Sequence, residues 1–96
     1  MFKEIAAQKV QEMQEEDAVN VVDIRDPGSF SAGHIPNAVS LNDGNVKEYI
    51  ETADKEKPLV VCCYHGNSSR GAAEYLSQQG FKEVYSMTGG FDAWPD

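Results

Sequence analysis

The stretch PLVVCCYHGNSSRG, residues 58–71, carries the strongest fold signal in the chain. Its first part, Leu59 to Cys62, is a continuous apolar run, which is typical of a parallel strand covered on both faces. Small and turn-forming residues follow from Cys63 to Ser69, and helix-forming residues run from Arg70 to Gln79. We therefore predict a buried strand, a tight loop and a helix, with Cys63 at the carboxyl end of the strand.

The same alternation of strand and helix signals extends outward from this stretch in both directions. Further β-rich runs and amphipathic segments are separated by turn-forming residues such as Asp26-Pro27-Gly28. The predicted strands are 18–24, 38–41 and 83–87, the predicted helices are 8–16 and 45–53, and residues 29–33 form a helical turn. This pattern predicts one α/β domain over residues 1–96, with three layers: a central, mainly parallel sheet and helices on both faces.

Composition limits the partners of this domain. Sixteen acidic residues against eight basic ones give a net charge of −8. Nucleic acid and anionic membranes are bound through clustered Lys and Arg, so we expect neither as a partner. The chain shows no apolar leader and no membrane-length apolar run, and its two adjacent cysteines form no disulfide framework, so a reducing, cytoplasmic setting is expected. Any anion site must be local and built from oriented dipoles.

The loop after Cys63 has the composition of such a dipole site. Ligands gather at the carboxyl ends of strands in open α/β sheets. Gly66 permits a positive φ, Asn67 tolerates the left-handed region, and Ser68 or Ser69 is the predicted N-cap of the next helix. No proline occurs from Tyr64 to Ser69, so every backbone N–H of the loop, including that of His65, is available to an anion.

The free energy needed to ionise a thiol at neutral pH shows why several hydrogen-bond donors must act on the sulfur. An ordinary thiol with a pKa of ~8.5 is only about 3% thiolate at pH 7. Lowering its pKa by about two units needs roughly 2.7 kcal/mol, whereas a helix N-terminus alone supplies ~0.3–1 kcal/mol. We therefore predict that the loop amides converge on the sulfur of Cys63 and make it a reactive thiolate. Cys62 lies within the strand and is predicted to be a core residue.

Other chemistries do not fit the spacing of this loop. A nucleotide P-loop needs a lysine where Ala72 stands, and a cysteine phosphatase loop needs an arginine at position 69, one place before Arg70. A zinc site would need a fourth ligand besides Cys62, Cys63 and His65. We therefore predict no metal site.

Three stretches in order, VDIRDPGSFSAGHIPNAVSL (22–41), CYHGNSSRGAAEYL (63–76) and GGFDAW (89–94), resemble the single-domain rhodaneses. The resemblance runs from about Ile5 to Trp94. It implies a ping-pong thiosulfate sulfurtransferase in which the Cys63 thiolate takes the sulfane sulfur of thiosulfate, expels sulfite and becomes a persulfide held by loop amides. The implied acceptors are cyanide, a thiol or a dithiol, such as a thioredoxin-like protein. No metal or organic cofactor is implied.

The resemblance also assigns roles around Cys63. It implies that Asp23 and Arg25 form a scaffold pair near the site, and we expect His34 to be a structural turn residue beside it. Tyr64 and His65 are expected as walls of the loop.

Many loops of the family carry an arginine where this chain has Ser68, which leaves Arg70 and His65 as candidate anion contacts. Weak thiosulfate binding is therefore expected, and a partner-fed persulfide carrier or interaction module stays open as an alternative. A third alternative, a small-anion phosphatase or arsenate reductase, is disfavoured because such relatives carry a loop one residue longer than Cys63–Ser68.

Overall fold

The protein is described here by a computed structural model, which covers residues 1–95. A five-stranded sheet in the order β1-β5-β4-β2-β3 forms its centre, and every neighbouring pair of strands is parallel. The strands are β1 (Lys3–Ile5), β2 (Asn20–Asp23), β3 (Val39–Ser40), β4 (Leu59–Cys62) and β5 (Val84–Met87). The helices are α1 (Ala7–Glu15), α2 (Pro27–Ala32), α3 (Val46–Thr52) and α4 (Ser68–Ser77), followed by a 3₁₀ turn (Gly90–Ala93).

The central strand β4 is buried along its whole length, as its apolar run predicted. Successive side chains of a strand point to opposite faces of the sheet. Val60 and Cys62 accordingly join the core on the face of α1, which we call the α1 face. Leu59 and Val61 pack on the other side with residues of α3 and α4, which we call the α4 face. Helices on both faces confirm the predicted three-layer α/β class.

Most predicted elements are shifted by one or two residues at their ends, and two differences are larger in consequence. Strand β1 was not predicted, because only Ile5 of its three residues is buried and no apolar pattern marks it. Helix α4 begins at Ser68, with Asn67 as its N-cap and no side-chain cap hydrogen bond. The prediction of Ser68 or Ser69 as the N-cap is therefore wrong. The physical reason is that Ser68 and Ser69 are already the first two helical residues, and the Cys63 sulfur accepts the Ser69 N–H that a capping side chain would bond.

Helix lengths bear on membrane insertion. None of the helices described within residues 1–95 is both long enough and apolar enough to cross a bilayer.

Candidate active site

The sulfur of Cys63 lies in a ring of hydrogen-bond partners and is almost fully buried, with 2% of the residue exposed. It accepts hydrogen bonds from the backbone N–H groups of Gly66 at 3.1 Å and Ser69 at 3.3 Å. As a thiol it also donates to Oγ of Ser69 at 3.2 Å. Two amides and one hydroxyl therefore surround a single sulfur atom.

These contacts decide the ionisation of Cys63. Burial by itself raises the pKa of this thiol, because it disfavours the charged form. The Ser69 hydroxyl and the backbone amides of Ser69, Gly66 and His65 act in the opposite direction and together outweigh burial, so the pKa of Cys63 is lowered. Ser69 N–H belongs to the first turn of α4, where backbone donors have no partner within the helix. The sulfur thus takes the position that a capping side chain would otherwise fill.

Cys62 is the opposite case. It is fully buried in the core on the α1 face, and burial raises the pKa of its thiol to about 12. The prediction of Cys62 as a core residue is confirmed by this placement.

A serine pair stands behind the sulfur. Oγ of Ser69 lies 2.7 Å from Oγ of Ser86 on β5, and both residues are fully buried. Sequence reasoning singled out Ser69 but missed Ser86. The available signal was the two-residue period of β5, which places Ser86 on the same face as the buried Val84.

The Cys63 loop rests on the glycines that open the 3₁₀ turn. Gly66 has φ +94°, and a Cβ at this position would lie 2.7 Å from the backbone nitrogen of Gly89. A Cβ on Gly90 would lie 2.5 Å from the carbonyl carbon and oxygen of Tyr64. The turn also donates to the loop, from Phe91 N–H to the carbonyl oxygen of Cys63 at 2.7 Å. The backbone of the Cys63 loop therefore packs directly against the backbone of the 3₁₀ turn and of Gly89 before it.

Tyr64 and His65, the predicted walls, are exposed and tethered to carboxylates. The Tyr64 hydroxyl hydrogen-bonds the carboxylate of Asp26, at the start of α2, and lies 3.3 Å from Oγ of Ser29. Nδ1 of His65 lies 2.6 Å from a carboxylate oxygen of Asp92. The mouth of the loop is therefore flanked by two acidic side chains.

Asp23, the last residue of the neighbouring strand β2, forms a buried ion pair with Arg25, two residues further on. Arg25 donates to both carboxylate oxygens of Asp23, with the closest contact at 2.8 Å, and to the carbonyl oxygen of Gly33 at 2.7 Å. Its guanidinium lies 4.1 Å from the ring centroid of Phe91. These contacts tie the end of β2 to the loop after α2 and to the 3₁₀ turn.

The remaining candidate residues lie outside the sulfur ring. The guanidinium of Arg70 faces a carboxylate oxygen of Glu4 on β1 at 3.8 Å. His34 stacks on Phe30, with ring centroids 4.0 Å apart, and its Nδ1 lies 2.9 Å from the carbonyl oxygen of Ile35. Asn67 and Ser68 are exposed at the start of α4. Within residues 1–95, no group of three or more His, Cys, Asp or Glu side chains is arranged to hold a metal ion.

Comparison with known proteins agrees with this geometry. The sequence profile of the rhodanese-like domain matches residues 6–96, nearly the whole chain. The chain belongs to the rhodanese-like family. This finding confirms the family predicted from its three sequence stretches.

Named relatives of this rhodanese are thiosulfate sulfurtransferases. It is 50% identical to "Thiosulfate sulfurtransferase GlpE" of Shewanella oneidensis, over 97% of this chain and 92% of that protein. It is also 50% identical to the GlpE protein of Pseudomonas aeruginosa, over 97% of this chain and 84% of the relative.

Solved structures agree with the fold. A rhodanese-related protein from Thermoplasma volcanium superimposes with a TM-score of 0.81 at 31% identity, over 97% of this chain and 90% of that one. A rhodanese-like domain protein from Staphylococcus aureus gives a TM-score of 0.84 at 26% identity, over 99% of this chain and 93% of the other.

Proposed function

We propose that this rhodanese is a thiosulfate sulfurtransferase that works through a persulfide on Cys63. In the first step the Cys63 thiolate attacks the outer sulfur of thiosulfate, a new S–S bond forms, and the old S–S bond breaks with its electron pair leaving on sulfite. In the second step a nucleophilic acceptor attacks the terminal sulfur of the persulfide. The bond to Cys63 breaks, and the thiolate is regenerated. Cyanide would leave as thiocyanate and a thiolate as its persulfide.

The observation that carries this proposal is the set of hydrogen bonds on the Cys63 sulfur. Gly66 N–H, Ser69 N–H and the Ser69 hydroxyl stabilise negative charge at one point. A lowered pKa activates the thiolate as a nucleophile without a general base. The same donors suit a persulfide anion, whose charge lies one bond further out. No proton has to be transferred to the leaving sulfite, which departs as a stable anion.

A second candidate function is favoured by the charges around the loop. Ser68 stands where an arginine could hold the sulfonate group of thiosulfate, and Arg70 faces Glu4 instead. Asp26 and Asp92 flank the mouth. These features weaken capture of a free dianion, so a protein-bound sulfur donor is the alternative to thiosulfate. The chain would then be a partner-fed persulfide carrier that uses the same Cys63 chemistry.

The proposed acceptors follow from the second step. A small thiol, cyanide or a dithiol protein of the thioredoxin type can each supply the nucleophile. Both cysteines of the chain are free, and reducing conditions keep the Cys63 thiol and thiol acceptors in the reduced form that the two steps require. We therefore propose that the protein is located in the cytoplasm.

Intact mass spectrometry tests the proposal directly. The protein is incubated briefly with thiosulfate and then with cyanide, beside the Cys63→Ser variant as control. We expect a gain of one sulfur atom that cyanide removes as thiocyanate, and no gain in the variant. A persulfide formed from a protein donor but not from thiosulfate would select the carrier function. No sulfur gain from any donor, or hydrolysis of an aryl phosphate that depends on Cys63, would overturn both.

A further inference from the structure

We propose that Ser86 is a positioning residue for sulfur transfer, because it sets the direction in which the Ser69 hydroxyl donates. The inference rests on the proposed function, since it concerns the same sulfur. It assigns a role in catalysis to Ser86, a residue of β5 outside the Cys63 loop.

The placement of Ser86 follows from strand geometry. Val84 and Ser86 point to the α4 face, and Ser86 is the register partner of Val61 on β4. Ser69 lies on the inward side of α4 with Ala73 and Leu76, all three buried. The two serines therefore meet in an apolar layer, where a hydroxyl must find a protein partner. Within residues 1–95, the side-chain hydrogen bond that the structure shows for Ser86 is the one to Ser69.

The two hydrogen bonds that link Cys63 Sγ, Ser69 Oγ and Ser86 Oγ can run in either of two directions. In the thiol state, S–H donates to Ser69 Oγ at 3.2 Å, and the Ser69 hydroxyl donates to Ser86 Oγ at 2.7 Å. A thiolate or persulfide anion has no proton to donate and only accepts. The Ser69 hydroxyl must then turn to the sulfur, and its oxygen is free to accept from the Ser86 hydroxyl. The thiol proton leaves to solvent when Cys63 ionises; two hydroxyl rotations then complete the change, and no proton passes between Ser69 and Ser86.

Ser86 strengthens the anionic arrangement more than the neutral one. When its hydroxyl donates to Ser69, it polarises the Ser69 O–H bond that faces the negative sulfur, and hydrogen bonds in such a row reinforce each other. Hydrogen bonds to charged groups are about twice as strong as neutral ones. Removing the Ser86 hydroxyl therefore weakens the thiolate and persulfide states relative to the thiol.

The test is the pH profile of Cys63 alkylation by iodoacetamide, measured in wild type and Ser86→Ala by mass spectrometry. We expect the midpoint of the profile to move to higher pH, and the rate at pH 7 to fall by about three- to tenfold. Ser86→Thr keeps a hydroxyl and should restore the wild-type midpoint. Ser77→Ala, which removes a hydroxyl that bonds Glu74 O at the far end of α4, is the control and should change nothing.

A double-mutant cycle separates positioning from general packing. If Ser86 acts through Ser69, then adding Ser86→Ala to a Ser69→Ala protein leaves the midpoint where Ser69→Ala alone puts it. Equal midpoints in wild type and Ser86→Ala, or a full additional shift in the Ser69→Ala background, would overturn the proposal. The alkylation readout needs no sulfur donor, so these outcomes are distinct from a failure to form the persulfide.

Discussion

Two adjacent cysteines have opposite chemistry in this protein because strand side chains alternate. Cys62 turns into the apolar core on the α1 face, where burial raises its pKa to about 12. Cys63 turns the other way, toward the amides and the hydroxyl at the start of α4, and its pKa is lowered. The difference follows from one step along the chain, from the last residue of β4 to the first residue of the loop.

The first prediction concerns selective alkylation. Folded protein treated with iodoacetamide should take up a single label, at Cys63, with half-maximal rate below the ~8.5 of an ordinary thiol. Cys62 should react only after denaturant is added, since its thiol points into the apolar core on the α1 face and stays protonated. Peptide mapping after labelling checks the site. Labelling of both cysteines at equal rates in the folded protein would contradict the prediction.

The second prediction concerns Cys62→Ala. Because Cys62 faces away from the reacting sulfur, the variant should keep most of the sulfur-transfer rate. The lost packing should lower the free energy of unfolding by about 1–2 kcal/mol. Urea denaturation and steady-state turnover measure the two effects. A near-total loss of activity in a folded variant would show that Cys62 takes part in transfer.

The third prediction follows from the raised pKa of Cys62. A folded-state pKa above the unfolded value of ~8.5 means that the unfolded chain releases its proton first as pH rises. The stability that this group contributes is therefore present below pH ~8.5 and is lost progressively as pH rises toward 12. Urea midpoints compared between pH 7 and pH 10.5 should fall more in wild type than in Cys62→Ala. Parallel curves would contradict the assignment.

At the scale of elements, the site is a loop braced by a turn. The Cys63 loop and the glycines that open the 3₁₀ turn pack backbone against backbone, and a Cβ on Gly66 has no room. The positive φ of Gly66 adds a further penalty for any L-residue.

The fourth prediction compares two glycines. Gly66→Ala should cost roughly 2–4 kcal/mol of stability and, by moving the loop amides off the sulfur, at least about 100-fold in transfer rate. Gly71→Ala is the matched control, because its Cβ meets nothing within 4 Å and it lies in α4. It should stabilise the protein by about 0.5–1 kcal/mol and leave activity unchanged. Thermal melts and turnover check both. Equal behaviour of the two variants would refute the bracing role.

Local sequence predicts some parts of this arrangement well. The apolar run of β4 needed no tertiary information, since residues buried on both faces can hardly be polar. The loop composition likewise marked Cys63 and Gly66. The N-terminus of α4 was predicted less exactly than the residues on its inward face. The first residue of a helix depends on which group accepts its free N–H donors, and here that group is the Cys63 sulfur.

Other parts depend on contacts that no local pattern records. Strand β1 holds its place by pairing with β5, although two of its three side chains are exposed. Ser86 comes from a strand distant in sequence, and a lone serine in an apolar strand signals no partner. Gly89 and Gly90 predicted a turn from the sequence alone. Their packing against the Cys63 loop could not be predicted, because the two segments meet only in the folded chain.

At the scale of the whole molecule, charge opposes the proposed donor. Net charge is −8 and thiosulfate is a dianion, so long-range repulsion slows their encounter. Local hydrogen bonds act only after the donor has arrived. Salt screens the repulsion but leaves the buried ring of donors around Cys63 nearly unaffected.

The fifth prediction concerns ionic strength. The rate of persulfide formation at low thiosulfate concentration should rise about three- to tenfold as sodium chloride increases from ~0.01 to ~0.3 M. Benzenethiosulfonate, a monoanion, should show a smaller rise under the same conditions. Single-turnover mass spectrometry measures the step without the acceptor. A rate that falls with salt would mean that a local cation captures the donor, contrary to the placement of Arg70.

The bracing of the loop by β5 and the 3₁₀ turn makes the reactivity of Cys63 dependent on the integrity of the whole domain. Domains fold as units, so unfolding separates Ser86, Gly90 and Phe91 from the Cys63 loop at the same time. The Cys63 sulfur then loses its hydrogen-bond donors and behaves as an ordinary, mostly protonated thiol. A damaged or unfolded copy is therefore a poor acceptor of stray sulfur, and the nucleophile is active only in an intact fold.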